Sequence, residues 1–376
     1  MNRKLWIGIG VVLLAVALIV IFRPTTGSHA SVRIAANLPL TGPVAAYSGQ
    51  YPNGFRMGLE DSETKNRVDA KMISVDFQDN AGLATNSVTV FQNQRLSNPS
   101  VYISGTSEAA IAVAKQVDSL GIPNFLVAFD PFLAREGQNR LRILPNSKIE
   151  GPLFVQYATA HHAKKIFILN LNSAYANSEV DNIIAPGLRA AGIDYQREQF
   201  EFGLRDFKNL ALKAKDYGPD LVFTIGYSFH LKPLLRDLRT AGLVHDGSVM
   251  AAMDFVDMLY DGTPTAELMG IAFACPIFEV KNAISDADAW RSKYQAKFGQ
   301  KPTYVEAYAY DTAGLIVKAF SQNGQVTTQS IRSALPYDGI TGTITLDKDG
   351  DIVATVTTAR LDASGTVTDV SGPAHQ

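Results

Sequence analysis

Residues 101–127 read VYISGTSEAAIAVAKQVDSLGIPNFLV, and this stretch decides the fold class. Val101–Ser104 is an apolar run of strand length. Glu108–Leu120 then places Ile111, Val113, Ala114 and Val117 as a helix places its buried residues. Leu120-Gly121-Ile122-Pro123 puts a glycine where that helix stops, as a left-handed C-cap requires. Asn124–Val127 is a second strand. A strand, a helix and a strand in so short a span form a unit whose strands run parallel, with the helix packed on the sheet.

The same alternation extends in both directions. Upstream, Ser31–Leu38 reads as a strand, Gly49–Glu60 as a helix, Lys71–Phe77 as a strand and Ala84–Leu96 as a helix. Downstream come strand Lys165–Leu169, helix Asn177–Ala191, strand Leu221–Ile225, helix Leu231–Ala241 and strand Ser248–Ala252. The glycine stop recurs at Ala191-Gly192-Ile193 and Ala241-Gly242-Leu243. The expected class is α/β, with doubly wound lobes built on parallel central sheets. Toward the C-terminus the pattern shifts to two longer helices, Asp286–Phe298 and Tyr304–Gln322. Two strand-like runs follow, Gly339–Leu346 and Ile352–Leu361, around Asp347-Lys-Asp-Gly-Asp351. Asp-Gly between such runs signals a hairpin turn. The turn reading is preferred to a calcium loop, because the later bidentate glutamate of that loop is missing. No Pro/Ser-rich linker cuts the chain, so the lobes should be joined by several crossings.

Composition narrows the function. The 376 residues carry 34 basic and 36 acidic side chains, a formal charge of −2. Beyond residue 30 the balance is 31 basic against 36 acidic, or −5. A mildly acidic body without a basic patch argues against a nucleic-acid partner. The single cysteine, Cys275, lies in the apolar run Ile271–Pro276 and reads as a buried small hydrophobe. Phosphate-loop, dinucleotide, nucleophile-elbow and zinc-helix motifs are all missing. His161 and His162 are adjacent and point in different directions, so they are poor co-ligands. A binding protein with no cofactor and no metal is therefore expected, not an enzyme. At the N-terminus, Arg3-Lys4 precede the 17 uncharged residues Trp6–Phe22. That length lies between a signal-peptide core and a spanning helix. Ser28-His29-Ala30 supplies small residues for cleavage after Ala30. Residues 1–30 are read as a signal peptide or as a retained anchor, and the body as exported.

Several runs, in order, resemble the type I periplasmic substrate-binding proteins of the leucine/isoleucine/valine-binding family. They are Leu38-Pro-Leu-Thr-Gly-Pro43 with Tyr47-Ser-Gly49, then Asp76–Asn80, Ile103-Ser-Gly-Thr-Ser107 and Gly121-Ile-Pro with Ala128-Phe-Asp-Pro131. Leu141-Arg142 with Gly151-Pro152, Phe223–Tyr227, Met253-Asp254 and Tyr308-Ala-Tyr-Asp311 complete the series. The resemblance implies two lobes joined by three crossings, with a cleft that closes on a ligand. By correspondence, lobe one is 31–146 plus 277–357, and lobe two is 147–276 plus 358–376. It also implies a monomeric periplasmic receptor that captures a small molecule and delivers it to a membrane permease of an ABC transporter.

The resemblance further implies a ligand-binding set. Ser107 would hold the ligand carboxylate, and the backbone of Ala128, beside Phe129, would touch ligand. Tyr175 and Tyr227 would stack on it from lobe two, Tyr47 would close the cleft from lobe one, and Asp254 would meet the ammonium. Asp130 departs from the family's threonine or serine. As an N-cap before Pro131, its carboxylate would occupy the N–H groups that a ligand carboxylate needs. Left uncapped, it would repel that carboxylate. Standard branched-chain amino acids are thus doubtful ligands. Three readings remain: a receptor for a small amine-bearing solute, one for a larger apolar or sterol-type lipid in a cleft lined by Phe129, Phe132, Phe229, Tyr175 and Tyr227, and a ligand-sensing regulatory domain.

Overall fold

A computed structural model describes residues 32–371. The proposed leader or anchor, residues 1–30, lies outside them. Among the described residues no helix is long and apolar enough to cross a membrane.

The opening βαβ unit forms as its pattern predicts. β1 (Val32–Leu38), β2 (Ile73–Asp79), β3 (Val101–Gly105), β4 (Asn124–Val127) and β5 (Arg140–Leu141) make one parallel sheet, in the order β2-β1-β3-β4-β5. β1 and β3 are almost wholly buried, because helices cover both faces. Gly121 adopts φ +67°, the left-handed stop expected of it.

The second sheet contains β6 (Lys165–Leu171), β7 (Asp194–Phe200), β8 (Leu221–Ile225), β9 (Val249–Ala251) and β10 (Ile271–Pro276). A small hairpin, β11 (Tyr337–Gly339) with β12 (Gly342–Ile344), stands apart. β13 (Val356–Leu361) and β14 (Val367–Asp369) then complete the second sheet, in the order β14-β13-β10-β9-β8-β6-β7. Cys275 is fully buried in β10.

Three features differ from expectation. The second sheet ends in antiparallel strands, since β13 runs against β10 and β14 against β13. A tight turn at Asp362–Thr366 joins β13 to β14, and so short a connection permits only antiparallel pairing. Second, β7 has no clear apolar alternation, and it was not legible as a strand because its residues are mostly half-exposed at a sheet edge. Third, no long hairpin flanks Asp347–Asp351. The turn is present, closed by Asp347 N–H on the Asp351 carbonyl at 2.8 Å and a single bridge between Leu346 and Ile352. Val356–Leu361 then departs to the second sheet.

Helices Ala287–Phe298 and Tyr304–Asn323 follow β10 of the second sheet in sequence but pack on helix Tyr51–Asn66 of the first lobe. That packing requires Gly54 and Gly58. A Cβ at either would lie 2.2–2.3 Å from the carbonyl of Glu306 or Tyr310. The crossing at 142–148 is held by charge. Arg142, fully buried, pairs with Asp351 (2.7 Å), and Lys148 is ringed by Asp347, Asp349 and Asp351 at 2.7–3.3 Å. The acidic turn thus holds side-chain cations.

Candidate functional site

The predicted site residues all follow the carboxyl ends of parallel strands, where open α/β sheets bind ligands. In the first lobe Tyr47 lies beyond β1 on the short helix Ala45–Ser48, Ser107 follows β3, and Ala128–Asp130 follow β4. In the second, Tyr175 follows β6, Tyr227 follows β8 and Asp254 follows β9. The fold brings these ends together. Ring centroids run Tyr47 to Phe129 at 4.9 Å, Phe129 to Tyr175 at 6.0 Å and Tyr175 to Tyr227 at 5.7 Å. This file of aromatics passes from one lobe to the other. Beside it, Glu108 Oε1 accepts the Ala174 N–H at 3.1 Å, so a first-lobe carboxylate caps a second-lobe helix. The lobes are closed on each other.

Ser107 is occupied within its own lobe. Its Oγ accepts the backbone N–H groups of Phe129 (3.1 Å) and Asp130 (3.0 Å), and only its own O–H remains to donate. The Ala128 carbonyl accepts from Arg142 at 3.0 Å. The Asp130 carboxylate accepts the Phe132 N–H at 2.9 Å and so acts as the expected cap. What it caps is a run of turns, not a helix. The arginines explain this: Arg142 takes the Asp130 carbonyl at 2.5 Å and Arg140 the Leu133 carbonyl at 2.9 Å, oxygens that a helix would use itself.

Asp254 is buried (2% exposed), and its Oδ1 has no hydrogen-bond partner. Burial pushes its pKa up to about 8. Its charge in turn reaches Tyr47, Tyr175, Tyr227 and Tyr304, whose hydroxyl pKa values burial already raises. The hydroxyls of Tyr47, Tyr175 and Tyr304 are likewise buried without a partner.

The structure adds groups that the sequence reading missed. Glu150 stands in the first turn of helix Ser147–Ala160, a position that ordinarily signals a dipole partner. Glu179 is four residues after Tyr175 and shares its helix face; that spacing was the available clue. Asp257 follows Asp254 by three. All three are buried. Glu179 accepts from Ser147 at 2.9 Å and is pushed up to about 8, by burial first and the Asp254 charge also. Glu150 is raised by burial and then by Glu179 and Asp254. Tyr304 heads the helix that the Thr303–Glu306 capping box starts.

Phe132 stands apart from the file, whereas Phe229 extends it at its second-lobe end, stacked on Tyr227 at 5.8 Å. Each lies under an arginine, Arg135 at 4.6 Å and Arg205 at 4.9 Å.

A family model described as periplasmic binding protein matches residues 31–366. The Leu/Ile/Val-binding protein homolog 3 of Brucella melitensis is 22% identical over 335 residues, spanning 87% of this chain and 90% of that protein. Among solved structures, the branched-chain amino acid transporter substrate-binding protein of Streptococcus pneumoniae, in complex with isoleucine, superposes with a TM-score of 0.77. It is 22% identical, over 90% of this chain and 97% of that one. An ABC-transporter solute-binding protein of Rhodopseudomonas palustris, in complex with 3,4-dihydroxybenzoic acid, gives a TM-score of 0.78 at 18% identity, over 90% and 96%.

Proposed function

The chain belongs to the periplasmic binding protein family, and we propose that it captures a small amine-bearing solute between its lobes and hands it to an ABC-type permease. Members of this family are small-molecule receptors, not enzymes. The observation that carries the amine is Asp254, a buried carboxylate with an unpartnered oxygen beside the aromatic file. Arg142, whose charge reaches Tyr47 and Asp130, is bound to Asp351 and to two carbonyls. A cationic ligand would therefore supply the missing partner, and the rings would add cation–π contact. Tyr47, Ser107, Ala128, Phe129, Asp130, Tyr175, Tyr227 and Asp254 are the proposed ligand shell.

The relatives solved with isoleucine and with a dihydroxybenzoate hold ligands that carry a carboxylate. Here the corresponding region is acidic, and Ser107 already serves two loop N–H groups. A free carboxylate is disfavoured for that reason. We read the receptor as monomeric, without a nucleic-acid partner, and delivered to the periplasm by residues 1–30, freed or tethered. Its lobes are taken as 31–146 plus 277–357 and 147–276 plus 358–376.

Titration calorimetry with a panel of free amines and amino acids tests the reading. Amine binding should weaken about ten- to a hundredfold in Asp254→Asn, the worth of one charge-assisted hydrogen bond. Micromolar isoleucine binding together with indifference to Asp254→Asn would overturn it.

A further inference from the structure

The cluster at the second lobe holds more carboxyl groups than one ammonium requires. Glu150 Oε1, Glu179 Oε1 and Asp254 Oδ1 are each buried and each lack a partner. Glu179 spends its other oxygen on the Ser147 hydroxyl, at 2.9 Å. Ser147, which donates to Glu179, opens the helix whose first turn carries Glu150, so these two acids are neighbours, and the Asp254 charge raises both. Independent of them, the Tyr47 and Tyr304 hydroxyls approach the cluster from the first lobe, also unpartnered. Yet the acids do not converge on a point. Among the described residues no three acidic, histidine or cysteine side chains stand close enough to hold a metal ion. Separated acceptors match an extended organic cation better than a compact one.

We infer that the site is built for a ligand with two separated cationic nitrogens, an aliphatic diamine or a longer polyamine, with one nitrogen on Asp254 and the second on Glu150 and Glu179. This rests on the amine reading above. The charges divide sensibly between the lobes. All three acids stand on second-lobe elements; the first lobe adds the Tyr47 and Tyr304 hydroxyls and the Phe129 ring, and its own acids are engaged, Glu108 by the Ala174 N–H and Asp130 by the Phe132 N–H. The dication would load onto the second lobe, and closure would then cover it with aromatic faces.

Calorimetry of the protein with putrescine, cadaverine, butylamine and isoleucine decides the matter. Putrescine or cadaverine should bind at least tenfold tighter than butylamine, which is about 1.4 kcal/mol. In Glu179→Gln the diamine-to-monoamine ratio should fall toward one. Should that variant fail to fold, Glu150→Gln is read the same way, and the wild-type ratio stands as a test without either. Equal binding of butylamine and both diamines overturns the dication while leaving the amine reading intact. Binding of isoleucine but of no amine overturns both.

Discussion

At the residue scale, the site is a set of side chains kept from their ordinary charge state by burial. Asp254 and Glu179 are both raised to about 8. At pH 7 the unliganded protein therefore holds protons there that a bound cation would expel. Amine binding should release protons at pH 7, and its affinity should rise between pH 6 and 9. Calorimetry in buffers of different ionisation enthalpy measures the release. The groups facing these acids are Tyr47, Glu150, Tyr175, Tyr227, Asp257 and Tyr304, whose pKa values are all raised by burial and then by neighbouring acids. All of them stay neutral or compete for the same cation, so none reverses the sign. Ser107 makes a separate prediction. Ser107→Ala strips two buried N–H groups of their acceptor and should cost about 1–3 kcal/mol per unsatisfied group. Urea unfolding would read this, and an unchanged midpoint would show that water replaces the hydroxyl.

At the element scale, two contacts control how the lobes are joined. The Glu108 carboxylate caps helix Ala174–Glu179 across the interface, in the field of that helix's N-terminus. Glu108→Ala should open the lobes and weaken ligand binding about three- to tenfold. Most of that change should be in the dissociation rate, which stopped-flow fluorescence follows. The Asp347–Asp351 turn works at the crossing instead. Asp351 neutralises the buried Arg142, which in turn holds the Ala128 and Asp130 carbonyls of the ligand loop. Asp351→Asn leaves a buried guanidinium without its counter-charge and should cost about 3–5 kcal/mol. A drop of less than 1 kcal/mol in thermal or urea unfolding would contradict this account.

For the whole molecule, the raised carboxyl pKa values fix how stability changes with pH. Asp254 and Glu179 at about 8, Glu306 at about 7 and Asp311 at about 6 all bind protons more tightly folded than unfolded. Their contribution is fully present below the usual carboxylate range and is lost as pH rises through those values. The unliganded protein should therefore unfold at lower urea at pH 8.5 than at pH 6.5. Below pH 6.5 His230, depressed to about 4 by burial, works the other way, because acid must charge it on the chain's unfolding. A saturating cationic ligand should flatten the upper limb, since it stabilises the ionised acids. Small-angle scattering should also show compaction on ligand addition, as lobe closure requires.

Much of this molecule follows from local pattern alone. Apolar runs of strand length, helical spacing and glycine stops placed β3, β4, β8 and β10 and the helices Ser107–Asp118 and Ser228–Thr240, because each signal acts within a few residues. Resemblance to a known family, rather than local pattern, nominated Tyr47, Ser107, Phe129, Tyr175, Tyr227 and Asp254. Tertiary structure decided the rest. The edge strand β7 and the antiparallel pair β13–β14 depend on partners distant in sequence. Asp351 meets Arg142 only because the chain returns to the first lobe after completing most of the second. Glu150 and Glu179 read locally as ordinary helix residues, and their meaning comes from burial beside Asp254. Charge in a folded protein is governed by what surrounds it in space, and those surroundings are drawn from helices and strands remote in sequence.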